Sequence, residues 1–139
     1  MNEVPDNPIV KYFAALDAGD FDACAACFAE DAVYMHPPFH PEKDNRIFAR
    51  VGRAAIRQWL DERGRMPHHH RLLFAAKNGS SYFVEGRGGG GGIPLHPFCS
   101  HAIVDENGLI KRYIAFMEYP DKDELVDRTI AFDNSEFKS

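Results

Sequence analysis

The apolar residues of this 139-residue chain change their spacing once, near residue 65. Ahead of that point they recur at the helical period; beyond it they alternate, as strands do. Helices followed by strands, without alternation between the two, define the α+β class. Asn7 can cap a helix and Pro8 suits its first position. Ile9, Tyr12, Phe13 and Leu16 then share one face. Gly19 ends that helix and Asp20 caps a second, in which Phe21, Cys24, Ala25 and Phe28 repeat the spacing. A short strand is expected over 32–36, stopped by Pro37-Pro38. A loop rich in Pro, His and charge follows over 37–48, and Gly52 opens a third helix carrying Ile56, Trp59 and Leu60 on one side.

Strands are expected over 68–77 and 80–87, joined at Asn78-Gly79, a strong hairpin signal. A second pair, 97–105 and 109–119, flanks Glu106-Asn107-Gly108. Five consecutive glycines, 88–92, read as a flexible connection or lid. The tail from Pro120 is acidic, with a short helix expected over 121–128. The expected architecture is a curved, mixed, mostly antiparallel sheet with the three helices on its concave face. It forms a single domain over 1–139, with its core at 8–119.

Composition narrows the function. A hydrophobic share of 45% and a charged share of 27% suit a soluble globular domain. The net charge of −5, with no block of Lys or Arg, argues against nucleic acid or an anionic membrane as partner. No apolar run approaches the ~18 residues a membrane helix needs. The N-terminus lacks the apolar region of a signal peptide, and three cysteines do not form a secreted disulfide framework. A cytoplasmic location is the expectation.

The stretch Tyr12-Phe13-Ala14-Ala15-Leu16-Asp17-Ala18-Gly19-Asp20-Phe21-Asp22, followed by Cys27-Phe28-Ala29-Glu30-Asp31-Ala32-Val33, resembles the nuclear transport factor 2-like superfamily. Gly52-Arg53-Ala54-Ala55-Ile56 and Asn107-Gly108-Leu109-Ile110 extend the resemblance to residues 8–119. It implies fold more than function, because that scaffold hosts many chemistries. Within it, the SnoaL-like and ketosteroid isomerase-like pattern is nearest. Ketosteroid isomerases place a carboxylate base at the end of the first strand, before a proline; here that position is His36. They place an oxyanion-binding tyrosine on the first helix, which corresponds to Tyr12. Their second donor is an aspartate that apolar surroundings keep protonated; counting from Gly108, that position is Ser100. One group is kept, one changes type and one is lost.

The residues carry the same argument. Tyr34 and His36 share a strand face. A histidine titrates near neutral pH, so His36 can serve as a base, or can instead orient a ligand or bond a backbone carbonyl. Tyr12, on the apolar helical face, can donate to an oxygen that gains charge, or simply pack. Ser100 is a weaker donor or a space-maker. Trp59, Val84, Gly86, Ala102, Tyr113, Ala115 and Met117 complete an expected pocket wall, apolar with few polar points, suited to a small apolar or aromatic ligand. Glu85 and Arg87 should face the other way.

Other signals are weaker. His68 and His70 share a face, and a third histidine (His36, His40, His96 or His101) could complete a metal site, but no ligand spacing supports one. Cys24 and Cys27 lie mid-helix, away from redox geometry. The glycine run has no phosphate-loop Lys-Ser/Thr. No metal and no cofactor is expected. Cys99, Ile103, Ile114 and Phe116 alternate to the outer face and predict a homodimer through it. Two functions stand: proton transfer on a small apolar carbonyl compound, of isomerase, cyclase or dehydratase type, with His36 as base and Tyr12 as donor; or non-catalytic binding of an apolar ligand.

Overall fold

Asn7 starts the first element as expected. Its Oδ1 accepts from the backbone N–H of Ile9 at 2.9 Å and of Val10 at 3.4 Å, occupying donors that a helix start leaves open. In the computed structural model, which describes residues 7–38 and 42–117, helix α1 (Pro8–Ala18) follows. The expected helix over 121–128, the end of the last strand at Tyr119, and His40 lie outside the described residues. Gly19 closes α1 at φ 74°, a left-handed turn that glycine enters without a Cβ penalty. Asp20 caps α2 (Phe21–Ala26) by accepting from Ala23 N–H at 3.1 Å.

The first strand is longer than the alternation suggested. Strand β1 (Phe28–His36) begins at Phe28, expected on α2. Phe28 lies against Ile110 in the sheet, and Ile110 N–H donates to the Cys27 carbonyl at 2.9 Å. Phe28 is fully buried, so its apolar side chain alone does not distinguish helix from strand. A second strand stands where the sequence pattern indicates none. Phe48–Val51 forms β2, at the end of the expected loop, and pairs antiparallel with residues 33–36. Gly52, at φ 94°, turns the chain into α3 (Arg53–Arg63) while its N–H donates to Ala32 O at 2.7 Å.

Strands β3 (His69–Asn78), β4 (Ser81–Gly90), β5 (Ile93–Val104) and β6 (Ile110–Met117) finish the fold. The six lie in the order β2-β1-β6-β5-β4-β3, parallel only between β1 and β6. The Asn78-Gly79 hairpin forms, with Asn78 opposite Ser81. The result is the expected curled, mostly antiparallel sheet with three helices.

Most of the glycine run is strand, not the flexible connection expected. Gly88, Gly89 and Gly90 belong to β4, and β5 starts at Ile93 rather than at residue 97. Only Gly91 and Gly92 form the turn. The physical reason lies across the sheet. A Cβ on Gly88 would stand 2.7 Å from His96 Nε2, and one on Gly86 would stand 2.7 Å from Phe98 Cζ. These glycines give room to rings from β5.

The core lies between the sheet's inner face and the helices. Ile9, Tyr12, Phe13 and Leu16 of α1 and Ile56, Trp59 and Leu60 of α3 pack on Tyr34, Val84, Phe98, Ala102, Tyr113 and Ala115.

Candidate active site

The register puts the expected wall residues on one face. Val84, Ser100 and Ala115 lie side by side across three strands, as do Tyr82, Ala102 and Tyr113, and Gly86, Phe98 and Met117. Val84, Gly86, Ser100, Ala102 and Tyr113 are buried and Met117 is half-buried. Glu85 and Cys99 alternate to the opposite, exposed side. Gly86 leaves no open space on this wall, because the Phe98 ring fills it.

Three tyrosines meet at the centre. Tyr34 and Tyr113 are direct partners on parallel strands, and their rings stack at 4.9 Å and 11°. Tyr12 meets Tyr113 edge-on at 5.4 Å, and its hydroxyl donates to the Tyr34 hydroxyl at 3.3 Å. Trp59 closes over Tyr34 at 4.9 Å. Ser100 Oγ and the Tyr113 hydroxyl share a 2.8 Å hydrogen bond. Burial, reinforced by the neighbouring Tyr34, pushes the Tyr12 and Tyr113 phenols well above their ordinary range. Both remain neutral donors at physiological pH.

His36 stands two residues beyond Tyr34 on the same face of β1, about 7 Å along the strand. Its Nδ1 lies 2.7 Å from the Pro37 carbonyl oxygen. That oxygen can only accept, so Nδ1 carries the proton and Nε2 the lone pair. Burial pushes the ring down to about 4; the charges of Arg63, His70 and His96 act in the same direction, against the Pro37 bond. The ring is neutral at pH 7.

A histidine group adjoins it. His70 on β3 and His96 on β5 both lie opposite Gly88 on β4. His68 packs on His70 with ring centroids 4.8 Å apart, and burial pushes His68 down to about 4. Asp17, near the end of α1, reaches β3: its Oδ2 accepts from the His70 backbone N–H at 2.9 Å and its Oδ1 pairs with His70 Nδ1 at 2.7 Å. Among the described residues, no group of three or more His, Cys, Asp or Glu side chains is arranged to hold a metal ion.

Sequence reasoning singled out Tyr12, Tyr34 and His36, named His70 and His96 only as members of an unsupported metal site, and passed over Asp17 and Arg63. Asp17 left a trace: it lies four residues after Phe13, so a carboxylate stands at the edge of an apolar stripe. The model for the SnoaL-like domain matches residues 9–113. The chain belongs to the SnoaL-like domain family. Among functionally curated proteins none matches it.

Solved structures share this SnoaL-like fold. A hypothetical protein with a ketosteroid isomerase-like fold from Catenulispora acidiphila DSM 44928, in complex with trimethylamine, is 20% identical, with a TM-score of 0.66 over 82% of this chain and 86% of that one. A candidate polyketide cyclase from Sinorhizobium meliloti is 21% identical, with a TM-score of 0.65 over 81% and 95%. An epoxide hydrolase of LEH-like type from M. tuberculosis is 19% identical, with a TM-score of 0.64 over 80% of each chain. At these identities the likeness shows the fold.

Proposed function

We propose that this SnoaL-like chain is a small-molecule enzyme that moves a proton on a small apolar carbonyl compound, as an isomerase, cyclase or dehydratase does. His36 is its base. The observation that carries the reading is the state of that ring: buried, neutral, with Nδ1–H fixed on Pro37 so that Nε2 is the proton acceptor. The enzyme names carried by solved structures of this fold, a polyketide cyclase and an epoxide hydrolase, support an enzyme that acts on a small molecule. Tyr12 acts through Tyr34: by donating to the Tyr34 hydroxyl it polarises that group into a stronger donor toward an oxygen that gains charge. Trp59, Val84, Ala102, Tyr113 and Met117 form the apolar surround, and Ser100 holds Tyr113 in place.

The test is NMR-detected deuterium exchange at the acidic C–H positions of cyclic ketones and enones in D₂O, comparing native protein with His36→Ala. Exchange by the native protein that is lost in the variant supports the reading; no exchange in either overturns it.

One observation favours a second reading, a protein that binds an apolar ligand without chemistry. The hydroxyls of Tyr12 and Ser100 are already bonded within the protein. Saturable ligand shifts without exchange would select that reading. We further propose that the chain pairs with a second copy through the outer face of the sheet, where Phe83 and Phe116 are exposed.

A further inference from the structure

We propose that His70, positioned by Asp17, is a second catalytic residue, which gives a proton from Nε2 to the substrate's carbonyl oxygen while His36 removes one from carbon. This rests on the proton-transfer reading above. One carboxylate holds His70 at two points, binding its backbone N–H at 2.9 Å and its Nδ1 at 2.7 Å, across 53 residues of sequence. A carboxylate that fixes the Nδ1 proton leaves Nε2 as the exchanging atom and stabilises the imidazolium that forms when Nε2 is protonated.

The surroundings of the ring point the same way. Phe13 and Phe98 clamp it at centroid distances of 4.6 and 5.5 Å, and these two rings also touch each other. The Asp17 contact uses Nδ1, so Nε2 is the ring nitrogen that can meet a substrate. His70 lies in one row with Gly88 and His96, and the missing Cβ of Gly88 admits the His96 imidazole on the same side of the sheet. The tyrosines, by contrast, polarise that oxygen by hydrogen bonding without protonating it. The Tyr12 proton is committed to Tyr34, so a group that can protonate oxygen outright is wanted elsewhere.

The step balances. His36 Nε2 takes the proton from the carbon next to the carbonyl, and the C–H electron pair becomes the C=C bond. The carbonyl π pair moves to oxygen, which receives the Nε2 proton of the His70 imidazolium. His36 ends protonated and His70 neutral. Return of a proton from His36 to a second carbon, with His70 recovering its proton from the enol oxygen, restores both rings.

The experiment combines two readouts on Asp17→Asn and His70→Gln. The ¹⁵N NMR spectrum of histidine-labelled protein reads which ring nitrogen of His70 is protonated. Deuterium exchange into cyclohexanone, 2-tetralone and cyclohex-2-enone reads catalysis. We expect His70 Nδ1 to hold its proton in native protein whether or not Nε2 carries one, loss of that fixed position in Asp17→Asn, and exchange slowed by about 100-fold or more in both variants. A purely structural clasp would leave exchange unchanged in any variant that folds. Native exchange with undiminished rates in folded variants, or a native His70 ring whose Nδ1 carries no proton, overturns the role of His70 and leaves that of His36 standing. No exchange by native protein removes the proton-transfer reading and this role with it. Should His70→Gln not fold, Asp17→Asn decides, since it keeps the shape of the acceptor.

Discussion

The ring of Phe98 lies across Gly86, so close that a Cβ at position 86 would stand 2.7 Å from Cζ and 2.6 Å from the Arg71 carbonyl oxygen. The first neighbour can rotate; the second is backbone in the adjacent strand. Gly86→Ala should therefore destabilise the fold by about 1–3 kcal/mol, as overpacking does. Gly79→Ala, with no heavy atom within 4 Å but φ 61°, should cost about 1 kcal/mol from backbone strain alone. Urea unfolding of the two variants gives the ranking. Gly86→Ala as stable as Gly79→Ala would show that the sheet yields at this point.

Residue pattern fixes some of this architecture and leaves the rest open, and the two parts differ physically. Helix α1 is legible because its cap, its apolar stripe and its terminal glycine are all local. The hairpin at Asn78 is legible for the same reason. Phe28 and the glycine run are not, because their state depends on partners far away in sequence: Ile110 pairs with Phe28, and the His96 ring requires Gly88 opposite it. Strand β2 has only four residues and takes its order from β1. At the candidate site, His36 could be found from its place before Pro37. The Asp17–His70 pair could not, since nothing in the sequence says that α1 ends beside the start of β3.

Ser100 and Tyr113 share a buried hydrogen bond of 2.8 Å, so removing one partner strands the other in an apolar surround. Ser100→Ala should cost about 1–3 kcal/mol, the penalty of an unsatisfied buried polar group. The double variant Ser100→Ala with Tyr113→Phe should recover part of that loss, because it removes both halves. A double-variant cycle in chemical denaturation checks this; strict additivity would deny the bond any energetic weight.

His36 and His68 make the fold sensitive to acid. Both are held down to about 4 by burial, while an unfolded histidine titrates near 6.5. Between those values the unfolded chain binds more protons than the folded one, so stability rises with pH through the window. It is fully present above about 6.5 and is lost progressively as pH falls toward about 4. The loss should reach about 3 kcal/mol at most for His36, and less for His68, where residual solvent screens the charge. Unfolding free energies at pH 7.5, 6, 5 and 4 read the slope, and His36→Gln should flatten it. A native slope equal to that of His36→Gln would mean that the ring titrates normally.

The outer face of the sheet exposes the rings of Phe74, Phe83 and Phe116. Phe116 is 55% exposed and Phe83 is 38% exposed, the latter stacked on His101 at 4.5 Å. Cys99 lies between Glu85 and Phe116 on the same face. Apolar rings gathered on one side of a sheet lower their free energy by leaving water, and a second copy offers a matching surface. Charge placed at the centre of that contact should break it, because each ion would face its own image across a two-fold axis. Native protein should therefore sediment as a dimer at micromolar concentration, and Phe116→Glu should shift it to monomer while its far-UV circular dichroism stays unchanged. A native monomer throughout that range would remove the second copy from this face.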